Sequence, residues 1–162
     1  MHVDTLRFGT VVVDYEKIID FVDGIPGFEQ FKRYALLQFE ESYPIVWLQA
    51  MEDAGVCFPV LDTFNVLPDY VFDIDDIDVN TLEINSPDEL HVINIVVIPE
   101  DIHGMTVNLS APIIINTFTG KAKQIILNDD EYNVKTPVFQ QICKLITREG
   151  DDDDVNSVEE TE

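Results

Sequence analysis

The chain is poor in positive charge: nine Lys and Arg stand against 32 Asp and Glu among 162 residues, a formal net charge of −23. That imbalance excludes nucleic acid as a direct ligand, because gripping phosphates needs clustered cations. Cysteine is nearly absent as well, with only Cys57 and Cys143. Two lone thiols build no disulfide framework and show no metal-binding spacing, so a reducing cytoplasm is the expected setting. The three histidines, His2, His91 and His103, are scattered and seed no zinc site. No apolar run reaches the roughly 18 residues that a membrane helix requires. The start, "MHVDTLRFGTVVVDYEK", lacks the basic segment and long apolar block of an export signal. A serine-hydrolase elbow, a phosphate-binding loop and a dinucleotide fingerprint are all missing. Neither enzymatic activity nor a metal or cofactor is expected.

What is present is a succession of short strand signals. "FGTVVV" (Phe8–Val13) and "KIIDF" (Lys17–Phe21) are separated by Asp14, Tyr15 and Glu16 and predict a hairpin. "YALLQF" (Tyr34–Phe39) alternates. "PIVWLQAM" (Pro44–Met51) and "VCFPVLDTF" (Val56–Phe64) flank a turn containing Gly55 and should pair. "YVFDI" (Tyr70–Ile74), "LHVINIVVI" (Leu90–Ile98), "MTVNL" (Met105–Leu109), "IIINT" (Ile113–Thr117) and "KAKQIIL" (Lys121–Leu127) complete the set. About ten short strands at short spacing predict a mainly β fold, a small antiparallel barrel-like or two-sheet domain, rather than βαβ units.

Two short helices are expected. Asp75, Asp76 and Asp78 suit the positive end of a helix. In "TPVFQQICKLI", Thr136 is placed to cap and Pro137 to take the first helical position. Phe139, Ile142, Cys143 and Ile146 share one face. Residues 1–147 read as a single domain and 148–162 as an acidic tail too poor in apolar groups to order.

The charge is unevenly spread. The last 14 residues hold eight acids and no base, leaving 24 acids and nine bases, a balance of −15, in residues 1–148. Between Arg33 and Lys121 there are fifteen acids and no Lys or Arg. Such a surface suits a basic partner, although solubility alone would justify it. The run "DIDDIDVN" does not form a calcium loop. Counting from Asp76, the position that needs glycine is Thr81 and the one that needs glutamate is Pro87.

In "NLSAPIIIN" (Asn108–Asn116) three consecutive isoleucines predict a strand buried on both faces. Pro112 cannot donate to a ladder, so the chain should break at Ser110 and Ala111 and resume at Ile113. "GIPGFE" (Gly24–Glu29) predicts a tight turn, with Phe28 tucked into the core as its simplest reading.

Together, "GIPGFE", "FPVLDTFNVLPDY" (Phe58–Tyr70), "TVNLSAPIIIN" (Thr106–Asn116) and "KQIIL" followed by "YNVKTPV" resemble the FliW family of flagellar assembly factors, in family order. The resemblance spans roughly Leu6 to Val138. Thr63 stands where the family often has proline, and Val107 where alanine is usual. The resemblance implies a small β-barrel-like cytoplasmic protein. It would bind and antagonise CsrA, a basic RNA-binding translational repressor, and would also bind flagellin, the two partners competing. Pro26, Phe28 and Glu29, Asp69 and Tyr70, and Asn108 with Pro112 are the expected exposed contact residues. The alternative from the residues alone is a small β-barrel holding an apolar small ligand in its interior.

Overall fold

The computed structural model of the chain describes residues 1–128 and 130–148. Seven strands close into a barrel: β3 (Ile18–Phe21), β4 (Arg33–Gln38), β5 (Ile45–Ala50), β6 (Cys57–Asp62), β7 (Leu90–Val97), β9 (Ile113–Asn116) and β10 (Lys121–Gln124). Their order around the wall is β7-β6-β5-β4-β3-β10-β9, and β9 returns to β7. Every pairing in the ring is antiparallel except β3 with β10. Short strands β8 (Thr106–Val107) and β11 (Thr136–Pro137) extend the sheet beyond the end of β7.

Most strands are buried on both faces, which explains their near-continuous apolar runs. Along β5, Val46, Leu48 and Ala50 point into the barrel, whereas Ile45 and Trp47 face an outer core. In β9, Ile113 and Ile115 belong to the inner cluster and Ile114 to the outer one. The inner cluster is filled by Phe21, Tyr34, Leu48, Val60, Ile93 and Ile113, each at most 1% exposed.

The outer core needs a cover, and a hairpin supplies part of it. Strand β1 (His2–Thr5) pairs with β2 (Gly9–Val12) in a separate two-stranded sheet. Thr5 Oγ1 closes its turn, accepting from the Phe8 amide at 2.8 Å and donating to the Gly9 carbonyl at 2.7 Å. Phe8 packs on Phe39 and Trp47, and the Arg7 guanidinium lies 4.6 Å from the Trp47 ring centre. The expected hairpin of Phe8–Val13 with Lys17–Phe21 is therefore corrected. β2 turns back onto β1, a strand too short to stand out in the sequence, and β3 joins the barrel.

Further helices pack outside the barrel: α1 (Thr63–Val66), α2 (Asp76–Thr81) and α3 (residues 139–148). Asp75 caps α2 as its acidic first turn predicts, accepting from the Asp78 amide at 2.8 Å. Thr136 and Pro137 do not begin α3. They pair with β8, where a proline without an N–H is tolerated on a sheet edge. On α3, Ile142 is 5% exposed and Leu145 packs against the same core, while Ile146 is 46% exposed, contrary to its expected place on the buried face. Tyr70–Ile74 is no strand, because the Val71 backbone is taken by a side chain instead. Of the tail expected over 148–162, Arg148 lies in α3 and the remaining residues are outside those described.

Candidate functional site

β8 and β9 lie along the same edge of β7. Val107 pairs with Val96 and Ile113 with Ile93, so five intervening residues, 108–112, span only the two β7 positions 94 and 95. The chain bulges outward there, and the fully buried Asn94 fills the interrupted ladder. Its Nδ2 donates to the Asn108 carbonyl at 2.8 Å and to the Tyr70 hydroxyl at 3.3 Å. Its Oδ1 accepts from the Thr63 hydroxyl. Tyr70 in turn donates to the Leu109 carbonyl at 2.6 Å. One asparagine thus ties the start of α1, the Tyr70 segment and the 108–112 bulge to the barrel wall.

Burial pushes the Tyr70 hydroxyl up to about 12, partly offset by its hydrogen bond from Asn94. Around its ring stand Phe64, Phe72 and Tyr132, the last edge-on at 4.8 Å. The Tyr132 hydroxyl clamps Val71, accepting from its amide at 3.0 Å and donating to its carbonyl at 2.8 Å. Outside this aromatic group opens a groove of about 850 Å³ whose lining includes Asp69, Asp73, Asp130 and Glu131 beside Val71, Phe72 and Tyr132. A largely polar groove with four carboxylates, in which Val71, Phe72, Leu127 and Tyr132 supply the apolar part, suits a basic protein segment.

Among the sequence-predicted residues, the structure brings Asp69, Tyr70 and Asn108 together here. Asp69 is exposed and Asn108 half-buried. Tyr70, at 4% exposed, is a core residue, and Pro112 is buried as well. The expectation that both are exposed is corrected: Tyr70 is held in by its hydroxyl partners, and Pro112 enters β9 at the barrel wall. Asn108 does serve its turn, its Oδ1 accepting from the Ser110 amide at 3.1 Å. Asn116 does likewise for the next turn, accepting from the Phe118 amide and donating to the Leu82 carbonyl.

The Gly24–Glu29 turn belongs to another part of the molecule. Ile25 and Phe28 join the inner cluster, with Phe28 edge-on to Phe58 at 5.0 Å, whereas Tyr70 packs in the outer core. Phe28 is half-buried, Pro26 and Glu29 exposed. Glu29 Oε1 accepts from the Gly27 amide at 3.0 Å, and this bond is the main reason its carboxyl titrates below the usual range.

Sequence reasoning missed Asn94, Thr63 and Tyr132. A signal existed for the first: Asn94 is the only polar residue after His91 in the apolar run "LHVINIVVI". Among the described residues, no group of three His, Cys, Asp or Glu is placed to hold a metal, and no helix is long and apolar enough to cross a membrane. Burial raises the pKa of the Cys57 thiol, the condition of an unreactive thiol.

A closed seven-stranded barrel with a filled interior, a covering hairpin and an acidic, aromatic-floored groove on its outer side defines the architectural class. The chain belongs to the FliW family: the family model described as FliW protein matches residues 2–138. It is 42% identical over 135 residues to the flagellar assembly factor FliW of Caldicellulosiruptor saccharolyticus, covering 83% of this chain and 88% of that one. It is 40% identical over 145 residues to the flagellar assembly factor FliW of Ruminiclostridium cellulolyticum, covering 89% and 98%. A crystal structure of the flagellar assembly factor FliW matches with a TM-score of 0.80 at 30% identity, over 86% of this chain and 97% of the other.

Proposed function

We propose that this chain is a cytoplasmic flagellar assembly factor that binds CsrA, antagonises its repression of flagellin synthesis, and surrenders it when flagellin accumulates and occupies the assembly factor. Membership of the FliW family over residues 2–138 is the observation that carries the reading. The charge supports it. A body of −15 held against a basic RNA-binding protein repels phosphates by several kT even where it does not cover the RNA site. The contact surface we assign is the groove that Asp69 lines, with Tyr70 packed behind its Phe72 and Tyr132, together with Asn108 and Pro112 of the 108–112 bulge. The Pro26–Glu29 turn, with Phe28 as its anchor, is a second contact. Action without a cofactor and without direct binding of nucleic acid or membrane completes the reading.

The test is calorimetric. Titrating the protein into CsrA from the same cell should give saturable heat, and prior addition of flagellin should abolish it. Absence of heat with either partner overturns the reading. Heat that persists in the presence of saturating flagellin overturns the competition alone.

A further inference from the structure

A cleft of about 460 Å³ opens at the barrel end opposite the Gly24–Glu29 turn, between the hairpin and the mouth of the barrel. One wall is Val11, Val12 and Val13, with Leu36 and Ile115 among the apolar residues opposite. No residue of β1 lines it, so the edge of β2 that faces the cleft is the one β1 leaves unpaired. The register specifies which groups that edge presents. Val13 donates to the Met1 carbonyl at 2.8 Å, and hydrogen-bonded pairs alternate along an antiparallel ladder, so Val3–Val11 and Thr5–Gly9 are the bonded pairs. Thr10 and Val12 therefore direct their N–H and C=O groups away from β1. The edge is short, four residues, but it is free of lysine, proline and bulge, and Val12 is 70% exposed. Tyr15, at 72% exposed, and Phe118, at 79%, stand next to lining residues Glu16 and Thr117.

We propose that β2 is a strand-addition site that takes an extended, basic peptide segment from a partner protein as a third strand of the hairpin sheet. Backbone pairing with Thr10 and Val12 supplies the ladder. The partner's residue opposite Val11 faces the apolar cleft, because Val11 packs against the outer core. Residues on the other face point to solvent, and the cleft itself is lined by Asp14 and Glu16 beside Lys17 and His91, an acidic share that favours Lys or Arg in the added segment. Charge also selects between occupants. Two copies pairing edge to edge would bring chains of −23 together, whereas a cationic segment is drawn in. The inference is independent of CsrA and flagellin and needs neither for its test.

The probe is the acetylated, amidated peptide Lys-Val-Lys-Val-Lys-Val, titrated into the full nitrogen-15-labelled chain. Saturable amide shifts at Thr10–Val13, with slowed exchange of the Thr10 and Val12 amides, are expected. The same peptide N-methylated at alternate residues keeps its charge and loses its donors; it should bind at least about tenfold more weakly. Val12→Pro removes a donor that β1 does not use and should weaken binding similarly, while Val12→Ala changes it less than about threefold. Equal affinity of the N-methylated peptide, or no shift at Thr10–Val13 up to millimolar peptide, overturns the proposal. So does a dimer formed through β2, seen by sedimentation.

Discussion

Asn94 sits where the ladder along β7 is interrupted, and its amide takes up the Asn108 carbonyl and the Tyr70 and Thr63 hydroxyls. Asn94→Ala leaves the Asn108 carbonyl and the Thr63 hydroxyl without this partner in a buried site. A loss of about 2–4 kcal/mol is expected from urea unfolding. Tyr70→Phe removes one hydroxyl at the rim of the same network and should cost only about 1–1.5 kcal/mol. If the two variants cost the same, Asn94 is not the hub. The tyrosines also set an alkaline limit. Burial pushes Tyr70, and Tyr34 inside the barrel, up to about 12, with the Glu52 charge adding to the rise at Tyr34. A raised folded-state value favours the neutral phenol, so this stability is fully present below about pH 10 and drains away as pH climbs towards 12. Urea midpoints should fall over that window, and Tyr70→Phe should flatten the fall.

Turns divide the elements into those the sequence reveals and those it hides. In "GIPGFE" both glycines adopt left-handed φ, +71° at Gly24 and +87° at Gly27, but their surroundings differ. A Cβ on Gly24 would stand 2.7 Å from the Glu29 Cα, whereas one on Gly27 would meet nothing within 4 Å. Gly24→Ala should therefore cost at least about 2 kcal/mol and Gly27→Ala about 1 kcal/mol, read from thermal melts. Strands β5, β6, β7 and β9 were legible because burial on both faces leaves long apolar runs, and Gly55 marked the β5–β6 turn. β1 was not, since four residues that bury only Val3 and Thr5 carry little pattern. Pairing partners lie at the tertiary level: nothing local in "FGTVVV" tells whether it turns back or forward. The start of α3 was misread for a similar reason, Pro137 being as acceptable on an edge strand as in a first helical turn. Of the proposed contact surface, Asp69 and Asn108 were legible as turn residues, but a tyrosine beside an aspartate looks the same in sequence whether it faces water or, like Tyr70, a buried asparagine.

At the scale of the whole molecule, charge is the property that no single contact explains. Under the proposed antagonism of CsrA, a −15 body would oppose RNA binding in one of two ways: by occupying the RNA site, or by raising the negative potential around it. The two respond differently to salt and to distant charges. Repulsion acts through solvent, where the screening length falls from ~10 Å at 0.1 M to ~3 Å at 1 M salt. Reversing Glu40, Glu41 and Glu100 to lysine changes exposed positions that do not line the Asp69 groove, and it shifts the body charge by +6. If the field performs the antagonism, this triple variant should keep its affinity for CsrA within about threefold, yet release RNA binding substantially. Competition between flagellin messenger and the protein for CsrA, followed by fluorescence anisotropy, reads both quantities in one titration. Antagonism that persists unchanged in the triple variant and at 1 M salt, with CsrA still bound, would mean that the barrel blocks the RNA site by its bulk or by reshaping CsrA.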